Sequence, residues 1–352
     1  MNTSEPELRT QESYAGDRRP INTDPREQPG PAMNPGPYYP QQWPAGQPAG
    51  MLPPRQRHSP WYWMVIGFVI VIVILGGLAS FALLSTHTTT LALRSFTVGN
   101  QPTLVLNESS GDIHIVSGPD HQITVRGTER TSAWSSTQIP IHYQQSGDTV
   151  TVSIDQINNI GIGLLYQSVQ IDVTVPSQTN LAVTADSGNI TNEGATGQMT
   201  LRTSSGDITT NGGSGQIILG TDSGDIHASN ISGQMTLTTS SGTITATNAS
   251  ASGASTFQTD SGDIHFSGSL AATGTDRFKA SSGTITLILP DDAAFQVQAS
   301  TDSGDIHSNF AGVNVLRGDG SGATAVGRAG SGPAFAQVNI QTDSGDIHLD
   351  RS

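Results

Sequence analysis

Nine times along the chain the same short phrase recurs, Ser-Gly-x-Ile, with its glycine at 111, 188, 206, 224, 242, 262, 283, 304 and 345. From the second copy onward the glycines lie 18, 18, 18, 20, 21, 21 and 41 residues apart, the last gap being about two periods. The isoleucine never varies: Ile113, Ile190, Ile208, Ile226, Ile244, Ile264, Ile285, Ile306 and Ile347. Five residues before the glycine stand Leu106, Val183, Leu201, Leu219, Leu237, Phe257, Phe278 and Ile340, with Ala299 the exception. A second marker, Gly-Gln followed by Met or Ile, starts at Gly197, Gly215 and Gly233. Self-similarity at a fixed short period is the mark of stacked units rather than of one irregular core.

Each unit reads as two short alternating strands joined by glycine-rich turns. One unit holds too few apolar side chains to bury them alone, so units must stack. Parallel stacking sets isoleucine on isoleucine and pairs every backbone N–H with the neighbouring coil. The expected fold is therefore all-β: a parallel β-solenoid-like stack of 18–21-residue coils. An antiparallel sandwich is the competitor, because turns every 8–12 residues would also suit it. The constant register of Ile, Gly and the preceding apolar residue favours the solenoid. Residues 95–180 are less regular, but Val105, Ile113, Val125, Ile171, Val173 and Val175 alternate as strands do and are expected to begin the same stack.

Composition divides the chain. Thirteen of its 19 prolines fall in residues 1–60, beside six Arg and six acidic residues. That segment cannot bury enough surface to offset its ordering entropy and reads as a disordered, Pro-rich arm. Residues 61–84 hold no charge. At 1.5 Å per residue such a stretch reaches about 36 Å, enough for a hydrocarbon core of about 30 Å. Trp61, Tyr62 and Trp63 open it with rings suited to the headgroup layer. We read 61–84 as one transmembrane helix, 85–94 as a linker and 95–352 as the repeat domain. Arg55 and Arg57 precede the helix, whereas the next cation is Arg94. The positive-inside rule then places the arm in the cytoplasm and the repeat domain outside, as a single-pass protein of the cell membrane.

The full chain carries a net charge of −14, and all of it falls on the exported part. Nucleic acid is excluded as a partner, because phosphate binding needs clustered Lys and Arg. With no cysteine, thiol catalysis and Cys–zinc sites are excluded too.

The repeats come in two kinds. Asp-Ser-Gly begins at Asp186, Asp222, Asp260, Asp302 and Asp343; Ser-Ser-Gly begins at Ser204, Ser240 and Ser281, and the two alternate. On this pattern Gly320–Ala325 is expected to be a decayed serine-type unit between Asp302 and Asp343. Four Asp-type units end in histidine, at His227, His265, His307 and His348, where serine-type units hold Thr209, Thr245 and Thr286. Parallel coils lie about 4.8 Å apart, so interposed Thr243 and Thr284 would separate the carboxylates of Asp225, Asp263 and Asp305. Duplication of a two-coil unit explains the same alternation. Asp-x-x-Asp-x-His is also a candidate divalent-cation set. Its residues are Asp222, Asp225 and His227; Asp260, Asp263 and His265; Asp302, Asp305 and His307; Asp343, Asp346 and His348. The bland alternative is that Asp closes the turn and His is exposed. Catalysis is not expected, since an active site is singular whereas these carboxylates repeat identically. No cofactor motif is present, and no catalytic residue is assigned.

Val173-Thr174-Val175-Pro176, Leu181-Ala182-Val183-Thr184 and the reiterated Ser-Gly-Asp-Ile resemble the bacterial putative-adhesin domain built of β-strand repeats, over about residues 95–352. The resemblance implies a surface location, often with a single membrane anchor, and supplies no catalytic residues. The expected function is non-enzymatic: adhesion or envelope interaction through an acidic ectodomain that meets a cell-surface glycan or protein. The alternative is a transmembrane envelope-stress sensor signalling through the Pro-rich arm.

Overall fold

The computed structural model describes residues 60–84, 86–132, 139–154, 167–318 and 320–352. The arm expected over 1–60 lies outside the described residues except for Pro60. A helix, α1, runs over Pro60–Leu84 without a charged residue. Its described side chains end at Ile74. Among described residues no helix is long and apolar enough to cross a membrane.

Most of the remaining described chain is strand, and the greater part of it forms two layers of open, parallel sheet. The long-strand layer runs in spatial order Thr149–Ile154, Thr103–Ser110, Asn180–Ser187, Met199–Ser205, Ser214–Ser223, Ser232–Ser241, Thr256–Ser261, Thr275–Ser282, Ala336–Ser344 and Phe295–Ser303. The short-strand layer runs Gln167–Val175, Ile113–Ser117, Ile190–Glu193, Ile208–Asn211, Ile226–Ser229, Ile244–Ala251, Ile264–Leu270, Ile285–Leu289, Ile347–Arg351 and Ile306–Ser308. Every pairing within these two series is parallel, as the solenoid-like reading expects and the antiparallel sandwich does not.

The core lies between the layers, where the invariant positions stack on themselves. Ile190, Ile208, Ile226, Ile244, Ile264 and Ile285 form one ladder, each fully buried. Leu201, Leu219, Leu237, Phe257 and Phe278 form the facing one. Burying each such side chain is worth about 1.5–3 kcal/mol, and no coil could obtain that alone. Where the coils lengthen, aromatic rings fill the space: Phe257 stacks on Phe278 at 4.7 Å, and Phe266 meets them edge-on at 5.3 and 5.5 Å.

The turn glycine is needed for two reasons at once. Gly242 has φ +152°, and a Cβ there would come within 2.0 Å of the Gly224 carbonyl oxygen in the adjoining coil. Buried threonines tie the same turns together. Thr221, Thr239 and Thr259 donate their hydroxyls to the carbonyls of Gly206, Gly224 and Gly242 at 2.9–3.0 Å.

At both ends the spatial order departs from chain order. The final coil, Ala336–Arg351, inserts between the coils of Gly283 and Gly304: Gly283 N–H donates to Ser344 O, and Gly345 N–H donates to Ser303 O. At the other end Thr103–Ser117 lies between the 149–175 and 180–193 segments. Antiparallel strands close the stack. Gln122–Ser132 lies on Gln167–Val175, and Ile141–Ser146 on Thr149–Ile154. The decayed serine-type unit expected at Gly320–Ala325 is corrected here. Ala323–Ala329 runs antiparallel on Phe295–Ser303 and carries the edge strand Val313–Arg317. The hairpin covers the last parallel strand and leaves as the open edge the five-residue Val313–Arg317, a short edge that discourages further pairing.

Candidate functional site

The residue after each turn glycine belongs to a hydrogen-bonded ladder that climbs the stack. Asp112 Oδ1 accepts the N–H of Asn189 at 2.9 Å, Asn189 Oδ1 that of Asp207 at 2.8 Å, and Asp207 Oδ1 that of Asp225 at 2.8 Å. Asp225 Oδ1 then accepts the N–H of Thr243, and Asp263 Oδ1 that of Thr284, both at 2.7 Å. At the end Asp346 Oδ1 accepts the N–H of Asp305 at 2.8 Å. Each carboxylate thus satisfies a backbone donor of the adjoining coil, a charge-assisted bond stronger than a neutral one. This offsets two departures from the expected charge spacing, Asp207 beside Asp225 and Asp346 beside Asp305. Because the last coil lies between those of Gly283 and Gly304, Thr284 separates Asp263 from Asp346 and leaves Asp346 next to Asp305. The Asp305 carboxylate also takes the Arg317 guanidinium at 3.1 Å.

The remaining sequence candidates are spread along the surface. Asp222, Asp260, Asp302 and Asp343 are exposed at the turn, one residue before its serine. His227, His265 and His307 are exposed and His348 half-buried, all on the outer side of the short-strand layer. Register places His227 between Thr209 and Thr245, and His265 between Thr245 and Thr286. His348 follows Thr286, and His307 follows His348. The histidines therefore share one line, but in the order 227, 265, 348, 307. Among the described residues no three His, Asp or Glu side chains converge on a point where a cation could sit.

Three buried carboxyls, Glu108, Glu129 and Asp276, escaped the sequence reading, and in Glu108 and Asp276 burial raises the pKa. Glu108 occupies the inward position that threonine fills in other coils. Its Oε1 accepts the Ser110 N–H at 3.0 Å, its Oε2 has no partner, and burial pushes its pKa up to about 7. Asp276 is fully buried, and neither of its carboxyl oxygens makes a hydrogen bond of good geometry. Burial raises its pKa to about 6, with Ser255 in the adjoining coil partly opposing the shift. The available signal was parity. Glu108 lies two residues after the inward Leu106 and Asp276 two before the inward Phe278, and on a strand that spacing means the same face.

A third feature is a groove of about 270 Å³ on the outer side of the long-strand layer, lined by Arg277, Lys279, Gln298, Ser300, Asn339 and Gln341 over the buried Phe278 and Ile340. It brings cations and side-chain amides together on a domain that is otherwise acidic.

A family model described as Toastrack DUF4097 matches residues 102–350. Solved structures of low identity also align with the chain. One is a putative cell adhesion protein from Clostridium sporogenes ATCC 15579, at 12% identity over 74% of this chain and 99% of that one, with a TM-score of 0.24. Another is a putative adhesin from Bacteroides fragilis NCTC 9343, at 13% identity over 74% and 97%, with a TM-score of 0.38. A third is a putative adhesin from Parabacteroides distasonis ATCC 8503, at 11% identity over 75% and 97%, with a TM-score of 0.28. Among curated proteins nothing matches.

Proposed function

The chain belongs to the Toastrack DUF4097 family, and from that premise we propose that it is a non-enzymatic, membrane-anchored adhesin-like protein whose strand-repeat domain faces out of the cell. The carrying observation is the form of the polar surface. The turn edge and the short-strand face repeat the same Asp, Thr and His groups from coil to coil, a form suited to distributed contact rather than to a single reacting centre. The neighbours described as adhesins agree with this reading.

The anchor rests on residues 61–84. They carry no charge, and the part of α1 with described side chains is strongly exposed, Trp61 to 70% and Phe68 to 67%. An apolar surface of that extent calls for a cover, and lipid is the cover that the uncharged sequence run 61–84 suits. Arg55 and Arg57 keep the N-terminal side in the cytoplasm.

Adherence of cells that carry or lack the protein, measured on surfaces coated with cell-wall glycans and proteins, tests the reading. Cells with the protein should adhere more, and removal of residues 1–50, which spares Arg55 and Arg57, should leave adherence unchanged. Loss of adherence on that removal would favour the signalling alternative. External protease should spare residues 1–60 in unbroken cells; digestion of that arm would reverse the orientation.

A further inference from the structure

The groove on the long-strand layer carries an inference that deepens the adhesion reading and rests on it. Arg277 and Lys279 stand at successive outward positions of Thr275–Ser282. Register sets Asn339 and Gln341 beside them, and Gln298 and Ser300 one strand further. Lys279 is the only lysine in the chain. Neither cation forms an ion pair among the described residues. Two like charges about 7 Å apart on one strand, without a counter-ion, do nothing for the fold. In the preceding coils the same outward positions hold Thr256 and Gln258, Thr236 and Thr238, then Ile218 and Gly220. The next cation on this outward line is Arg202, four strands away, while the acids of the groove's three strands lie at the turn, Asp302 and Asp343, or inside, Asp276.

We propose that this groove binds an anionic polysaccharide, a carbohydrate polymer carrying carboxylate or phosphate groups. The guanidinium of Arg277 can fork such an anion, and the Lys279 ammonium adds a point charge. The amides of Asn339, Gln341 and Gln298 each offer both donors and an acceptor, the pairing that vicinal sugar hydroxyls require. Parallel strands present these groups in steps of about 4.8 Å, a repeating track suited to an extended polymer. No aromatic ring is exposed within the groove to anchor a protein partner.

The full-length chain in mild detergent is titrated with polygalacturonate, its methyl ester, a polyglycerol phosphate and polyglutamate. Polygalacturonate, polyglycerol phosphate or both should bind, which also identifies the anion. Affinity should fall at least about tenfold in Arg277→Gln/Lys279→Gln at an unchanged melting temperature. Bound polymer should also protect Lys279 of the parent from an amine-acylating reagent, read by mass spectrometry. The methyl ester should not bind. The proposal is overturned if neither anionic glycan binds, if the double variant binds as the parent does, or if polyglutamate binds as well through the same two residues. Adherence to protein-coated surfaces alone would sink the groove and leave the adhesion reading standing; adherence to nothing would remove both.

Discussion

The ring of His307 stacks on that of His348, centroids 5.3 Å apart and planes within 10°, although an antiparallel hairpin separates them in the chain. The contact exists because the last coil is laid in before the one that precedes it. Asp-type coils meet directly only here, so the alternation of turn types holds in space up to Asp343 and then breaks at Asp302. The same insertion places Ile340 on Phe278 and leaves Ala299 against Ala325 under the closing hairpin.

Coil order has a direct chemical test, because the chain has no cysteine of its own. Ser282 pairs in register with Ser344, and Ser344 with Ser303. Ser282→Cys/Ser344→Cys should therefore oxidise to a disulfide, since adjoining strands place the Cα atoms about 5 Å apart. Ser282→Cys/Ser303→Cys, about 10 Å apart, should not. The reverse pattern on non-reducing gels would mean that the coils stack in chain order.

The isoleucine ladder predicts a contrast between two faces of one sheet. Ile226 is fully buried between Ile208 and Ile244, whereas Thr245 points outward between His227 and His265. Ile226→Asp should cost several kcal/mol through an unpaired buried charge, and Thr245→Asp less than about 1. Equal melting temperatures for the two variants would contradict the ladder.

Stability should decline as pH rises through mild acid. Asp276 has its pKa raised from 3.8 to about 6, so between those values the folded chain holds a proton that the unfolded chain has released. By linkage its contribution is full below pH 3.8, falls by about 3 kcal/mol up to pH 6 and is flat above. Glu108 acts in the same direction between 4.5 and about 7. Asp276→Asn removes the first part. Its denaturation midpoint should gain on the parent from pH 4 to pH 6, leaving only the Glu108 slope. Parallel pH profiles for the two proteins would show that the carboxyl is not buried in this way.

Gly242→Ala should destabilise by at least about 2 kcal/mol, because the added methyl meets the Gly224 carbonyl and φ is positive. Gly320→Ala, where nothing lies within 4 Å, is the matched control and should be near neutral. A melting point for Gly242→Ala within a degree of the control would mean that the coils are not so closely apposed.

The local rules were legible in the residues alone. Strand parity placed Ile226, Leu237 and Phe257 inside and His227 outside, and the constant register between Gly and Ile favoured parallel stacking over an antiparallel sandwich. These follow from short-range chemistry: a side chain alternates across a strand, and a turn glycine has no Cβ to clash. Parity also held the clue to Glu108 and Asp276, but a charged residue at an inward position becomes noticeable only once the facing layer is seen to close over it. The carboxylates at Asp225 and Asp263 had a use that no single coil reveals, since the N–H each one accepts belongs to the next. Only the tertiary structure decided which coils adjoin at the ends. Every coil offers nearly the same edge, so hydrogen bonding scarcely distinguishes one neighbour from another. The choice falls to features specific to the ends, namely the fit of Ile340 on Phe278 and the need to cover the last open strand with Ala323–Ala329. That choice stacks His307 on His348, and it sets Asn339 and Gln341 between Arg277 and Gln298, so the groove exists because of an ordering the repeat itself does not encode.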